Sequence, residues 1–174
     1  REAIEYLYDF LLEDGGTRFC SLSTATLPKG MEVLRELLEH SESVTGLSDA
    51  GAHVTLICDA TMPSTQLSYW ARDRKKGEKL PLEFLVHKQT ARNAALYGFS
   101  DRGSLEVGKR ADINVIDFEK LSVAPPVAYQ DLPAGGTRVM QPVSGYIATY
   151  CNGILIRKND QDTGARPGRL VRSA

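Results

Sequence analysis

Residues 44–62, VTGLSDAGAHVTLICDATM, hold an acid, a glycine and a histidine within a few positions of one another, and their types could do chemistry. The apolar run 44–47 stops at Ser48-Asp49, the small residues Ala50, Gly51 and Ala52 follow, and His53 leads into a second apolar run, 54–58. An acid just beyond a short buried strand, followed by Gly and His, stands where α/β enzymes commonly place catalytic groups. A carboxylate there can take up and release a proton. An Asp shortly before a Gly is also, and more commonly, a turn residue. The residues alone leave both readings open for Asp49.

The flanking elements must hold this stretch in place. Ile4, Leu7, Tyr8, Leu11 and Leu12 recur at helical spacing, and Gly15-Gly16 ends that helix. Phe19, Cys20 and Leu22 predict a short strand over 18–22, and Val33, Leu34, Leu37 and Leu38 stripe a second helix after Pro28. With a strand over 44–48, the order is helix, strand, helix, strand on short links, which argues for parallel βα units. Beyond the central stretch, Pro63-Ser64 starts a helix through Leu67, Trp70 and Ala71, whose basic end at 72–76 is expected to be solvated. Arg72 and Arg74 are the substrate-binding candidates in that run. Pro81 starts another helix with Leu82, Leu85 and Val86 inward. Thr90 is placed to cap a third over 91–96, closed by Gly98. His40 and His87 fall near helix ends, where a contact with the helix dipole accounts for them.

After Gly98 the character changes. Residues 111–117 alternate towards a strand, and the Pro- and Gly-rich stretch 125–142 predicts a long loop. Two β-rich runs, 146–151 and 154–157, joined by Asn152-Gly153, predict a type I′ hairpin. The last residues, from Thr163, are polar and expected to be extended. A boundary near Gly98 divides an α/β part, residues 1–98, from a β part, residues 99–174.

Composition narrows the class. The chain has 174 residues, 42% of them hydrophobic, enough for one sizeable core or two small ones. Lys and Arg total 21 against 22 Asp and Glu, a net charge of -1. No basic cluster is interleaved with aromatics, so nucleic acid is not an expected partner. No apolar run approaches the roughly 20 residues that span a bilayer, so neither is a membrane. Cys20, Cys58 and Cys151 are odd in number and far apart, each in or beside an apolar run. Buried reduced thiols and a cytoplasmic location are expected. The chain opens without Met on an amphipathic helix, so a piece of a longer protein is expected.

Four stretches carry a resemblance: GLSDAGAH (46–53), QTARNAALYGF (89–99), DRGSLEVGKRADINVIDF (101–118) and the closing NG…TGARPGRLVR. From about residue 17 onward the chain resembles the amidohydrolase superfamily, and its N-acyl-D-amino-acid deacylase (D-aminoacylase) branch most closely. The GSLEVGKRADINVID run is shared widely among amidohydrolases, so it speaks for the superfamily more than for a substrate.

The resemblance implies a metal-dependent (β/α)8 TIM barrel followed by a small β-sandwich. The chain would hold the last βα units of the barrel, with strand 7 near 18–22 and strand 8 near 44–48, and the C-terminal share of the sandwich. It implies hydrolysis of a linear amide C–N bond, as in an N-acyl-(D-)amino acid, by metal-activated water. Asp49 would be both general acid/base and metal contact, and one or two zinc or other divalent ions the cofactor. Zinc lowers the pKa of bound water towards about 7, and a carboxylate beside the cation stays ionised. His53 would support the loop or orient Asp49.

The family's His-x-His, its bridging Cys or carboxylated Lys and its two single histidines have no counterparts here. One carboxylate does not hold zinc, so this chain alone is expected to be inactive and to hold no metal. It is expected instead to oligomerise or to associate with the missing barrel portion. The carboxylate-anchoring Arg that such deacylases place shortly after the Asp is absent from 54–61. That leaves Arg72 or Arg74 for the task, or a different substrate such as a cyclic amide or imide. A non-catalytic assembly or binding module is the alternative from another class.

Overall fold

The computed structural model describes residues 2–13, 31–46 and 48–171. The chain divides into two compact units, residues 1–43 and 44–174. The first holds the two helices that the periodicity predicts, α1 (Ala3–Leu12) and α2 (Met31–Glu39). Neither has a buried residue, and Ile4, Tyr8 and Leu12 on α1 are each more than half exposed. The α2 end is closed locally: Arg35 pairs with Glu39 one turn on, and the Ser43 hydroxyl donates to the Leu37 carbonyl. The strand expected over 18–22 lies outside the described residues.

The second unit opens on the expected second strand, but residues 44–46 and 48 are not in a strand. Their polar groups find side-chain partners instead of a ladder. The Thr45 hydroxyl donates to the Lys88 carbonyl at 3.0 Å, and Asn93 Nδ2 donates to both the carbonyl and the hydroxyl of Thr45, at 3.1 and 3.0 Å. A backbone carbonyl satisfied in this way has no need of a neighbouring strand. Among the described residues every strand pairing is antiparallel, so what they show is helices with antiparallel sheets.

The helices are α3 (Met62–Ser68), running into a π-helical turn at Tyr69–Asp73, then α4 (Leu82–Gln89) and α5 (Ala91–Leu96). Pro63 opens α3 as predicted. On α4 Leu85 is inward and fully buried, but Val86 is 43% exposed and Lys88 is buried in its place. Burial lowers the Lys88 pKa, with Arg92 adding to the effect. Thr90 stands at the start of α5 but caps nothing; its hydroxyl donates back to the Val86 carbonyl. Gly98, at φ 70°, ends α5 as predicted, and the Phe99 N–H returns to the Ala94 carbonyl.

Among the described residues eight strands follow: β1 (Ile113–Ile116), β2 (Ser122–Val123), β3 (Val127–Leu132), β4 (Gly136–Met140), β5 (Val143–Ser144), β6 (Tyr146–Cys151), β7 (Ile154–Lys158) and β8 (Gln161–Asp162). They form a four-stranded sheet in the order β1-β6-β7-β8 and two pairs, β2-β5 and β3-β4. Asn152 and Gly153 both have positive φ, 50° and 76°, so β6 and β7 join through the predicted type I′ turn. The loop expected over 125–142 is in fact the β3–β4 hairpin, turned by Pro133–Gly135. Its Pro and Gly residues sit in the turn and at or beyond the strand ends, and the register shifts once, between Tyr129 and Leu132.

The core of this unit comprises Leu67, Trp70, Leu80, Leu85, Ala94, Leu121 and Ala148. Among the described residues no helix is long and apolar enough to cross a membrane.

Candidate functional site

Asp49 opens a loop that returns on itself at Asp59, whose N–H donates to the Asp49 carbonyl at 3.3 Å. Two left-handed residues bend the chain between them, Gly51 at φ 95° and His53 at φ 46°. Glycine adopts that conformation freely; histidine does so at some cost. From His53 the chain winds into a single helical turn, with the Leu56 and Ile57 N–H groups donating to the His53 carbonyl at 2.8 and 2.9 Å. The apolar run 54–58 therefore opens in a turn.

Beyond the neck, a 3-10 turn at Asp59–Thr61 leads into α3. The loop is docked on β4 by the Val139 N–H, which donates to the Val54 carbonyl at 2.7 Å. The Thr61 hydroxyl donates to Gln141 Oε1 at 2.6 Å, and Ser64 Oγ and the Tyr146 hydroxyl share a 2.8 Å hydrogen bond. On the other side of α3, Gln89 Nε2 donates to the Pro63 carbonyl and to Gln66 Oε1.

The Asp49 and His53 side chains are exposed. Among the described residues no hydrogen bond or ion pair joins the side chains of Asp49, His53 and Arg72. Arg72 is committed elsewhere. Its guanidinium donates to both carboxylate oxygens of Asp73, to the Phe118 carbonyl and, at 2.6 Å, to the Leu121 carbonyl, and it lies 5.3 Å over the Phe118 ring. The hydrogen bond with Asp73 raises the Arg72 pKa and lowers that of Asp73.

Arg74, expected on a solvated helix end, is 3% exposed. It stacks 4.6 Å over Trp70, and its Nε donates to the Lys76 carbonyl. The planar guanidinium covers an indole face that would otherwise meet water. Arg72, within the π-helical turn, thus ties the end of α3 to the residues that lead into β2.

Among the described residues no group of three or more His, Cys, Asp or Glu side chains is gathered to hold a metal ion. Asp49 can offer one carboxylate, which does not make a site. Cys58 and Cys151 are free thiols and half-buried. Arg110 Nη2 reaches Cys151 Sγ at 3.7 Å, and this contact, followed by the one to Asp112, raises the Arg110 pKa.

Two acids that sequence reasoning passed over organise the β part. Asp112 accepts the Asn152 N–H at 2.7 Å while paired with Arg110 and Arg102, which fixes the turn between β6 and β7 against β1. Asp160 accepts the N–H groups of Gly145 and Tyr146 at 3.1 and 2.8 Å. Asp112 was visible as the acid inside the GKRAD run. Asp160 had no signal beyond its place in a polar turn.

A family model described as "Amidohydrolase family" matches residues 15–156. No curated protein and no solved structure matches the chain.

Proposed function

The chain belongs to the amidohydrolase family, hydrolases of amide and related bonds, and on that premise we propose that it carries the proton-transfer carboxylate of a linear-amide hydrolase. The substrate class we favour is an N-acyl-(D-)amino acid, and the group is Asp49. The observation that carries the reading is the Asp49 loop. Its backbone is tied at the neck and on β4, while the Asp49 carboxylate is exposed and has no partner among the described residues. A carboxylate presented that way can accept a proton from an attacking water and return it to the departing nitrogen. His53, four residues on and left-handed, shapes the same loop.

Family members generally use divalent metals. Asp49 by itself does not fit such an ion, so any metal would draw its other ligands from beyond the described residues. The same reading makes residues 1–98 the end of a TIM-barrel domain and 99–174 a share of a β-sandwich. In it the chain works against the remaining barrel or another copy of itself. The free thiols of Cys58 and Cys151 support a reducing, cytoplasmic setting.

One observation favours a second substrate class. The stretch 54–61 has no Arg, and Arg72 and Arg74 are engaged by their own chain. A substrate without a carboxylate to anchor, such as a cyclic amide or imide, needs no such Arg. The deciding experiment is amine release from N-acetyl-D-methionine against ring opening of succinimide, by the full-length protein with and without added zinc. Turnover of neither by the wild type, or full turnover by Asp49→Asn, overturns the reading.

A further inference from the structure

We propose that Gln141 is a positioning residue for Asp49, acting through Thr61 from the end of the β3–β4 hairpin. The proposal rests on Asp49 being the proton carrier. With no side-chain bond of its own among the described residues, Asp49 takes its position from the backbone of its loop, and the loop takes its position from its anchors. At the neck the Asp59 N–H donates to the Asp49 carbonyl at 3.3 Å, the longest and so the weakest of the three anchors. Midway, the Val139 N–H holds the Val54 carbonyl at 2.7 Å. Just past the neck, the Thr61 hydroxyl donates to Gln141 Oε1 at 2.6 Å.

These anchors form one linkage. Asp59 and Thr61 are the first and last residues of a single 3-10 turn, and Val139 and Gln141 lie two positions apart on and just beyond β4. A shift of Gln141 is therefore carried through Thr61 and the turn to the Asp49 carbonyl. Thr61 is 8% exposed, so water does not readily replace the bond when it is lost. Proton transfer needs the carboxylate within about 2.6–3.2 Å of its target, and a misplacement of about 1 Å can cost about 10²-fold.

Two substitutions remove the bond, Gln141→Ala and Thr61→Val, and two keep it, Gln141→Glu with its acceptor and Thr61→Ser with its hydroxyl. Amide exchange at Asp59, and kcat and KM for N-acetyl-D-methionine and succinimide, are measured in the full-length protein. The first pair should exchange at Asp59 about five- to tenfold faster, as expected for one lost buried hydrogen bond. With the better substrate their kcat should fall about tenfold while KM stays within about twofold. The second pair should restore both, which also guards against misfolding of the first. Unchanged exchange at Asp59 in Gln141→Ala overturns the proposal. Faster exchange with unchanged kcat overturns it as well, because the bond would then hold the loop without serving Asp49. Asp49→Asn is run alongside: if it keeps full turnover, the fault lies with the assignment of Asp49, and the exchange rates still decide whether Gln141 holds the loop.

Discussion

Gly145 lies hard against the backbone of Leu121: a Cβ on Gly145 would stand 2.7 Å from the Leu121 Cα and 2.9 Å from its nitrogen. Gly145 also has φ +109°, a conformation that side chains rarely adopt. The approach brings the β2 end to the β5–β6 corner, with Leu121 fully buried beneath it. Gly145→Ala meets both the clash and the strain, and about 2–5 kcal/mol of stability should be lost. Urea unfolding measures it, and a change below about 0.5 kcal/mol, the range of an ordinary surface substitution, would mean that the two backbones do not approach this closely.

Arg72→Lys separates two roles for Arg72. An ammonium cannot span Asp73 and the carbonyls of Phe118 and Leu121 together. A loss of about 1–3 kcal/mol, with KM for N-acetyl-D-methionine unchanged, is expected from the structure. A many-fold rise in KM with full stability would instead make Arg72 the substrate anchor.

In the full-length protein Asp49→Asn should lower kcat by about 10²–10⁴-fold, the usual cost of a positioned acid–base group. The melting temperature should hold, because the exposed Asp49 side chain bonds to none of the described residues. A collapse in melting temperature would return Asp49 to the role of a turn residue.

The chain of 174 residues by itself should not keep zinc through dialysis or hydrolyse N-acyl amino acids, since among the described residues no three ligand side chains gather around Asp49 or elsewhere. Atomic absorption after dialysis is the measurement. About one equivalent of zinc, with turnover, would mean that the chain is a complete catalyst.

Asp162 is held at a pKa of about 2, chiefly by its hydrogen bonds with Arg166 and then with the Gly164 N–H. The folded value is below the unfolded one, so the stabilisation is present above the ordinary Asp pKa and is lost as pH falls through about 2. Arg166→Ala should move the titration of Asp162 back up towards the ordinary range. Carbon-detected NMR of the carboxylate would show it, and an unmoved midpoint would rule out Arg166 as the main cause.

What the sequence disclosed divides along physical lines. The amphipathic period of α1 and the Gly98 stop of α5 were legible because each signal is carried by near neighbours. So was the β6–β7 turn at Asn152-Gly153. The β3–β4 hairpin was not, since Pro133 and the Gly135-Gly136 pair punctuate a hairpin turn and a long loop alike. The apolar run 54–58 carried no element of its own in the sequence, and the turn that opens it depends on a left-handed His53 and on the grip of Val139, distant in sequence. The arginines at 72 and 74 look solvated by composition and are held by Phe118, Leu121 and Trp70, contacts that only the folded chain brings together. Asp49 was legible as a candidate, while its anchor Gln141 carries no local pattern at all.

The order of the main sheet has a bearing on how fast it assembles. β6 and β7 are separated by two residues, whereas β1 ends at Ile116 and must wait for Tyr146 to find its partner. A hairpin closes in about 1–10 μs, but the excursion between β1 and β6 has first to meet its loop-closure entropy. The sheet is therefore expected to grow outward from the hairpin, with β1 arriving late. Asn152→Ala should then slow refolding, and Val115→Ala should mainly hasten unfolding. Stopped-flow chevrons would distinguish the two, and a β1 substitution that slowed refolding more than the turn substitution would reverse the order of events.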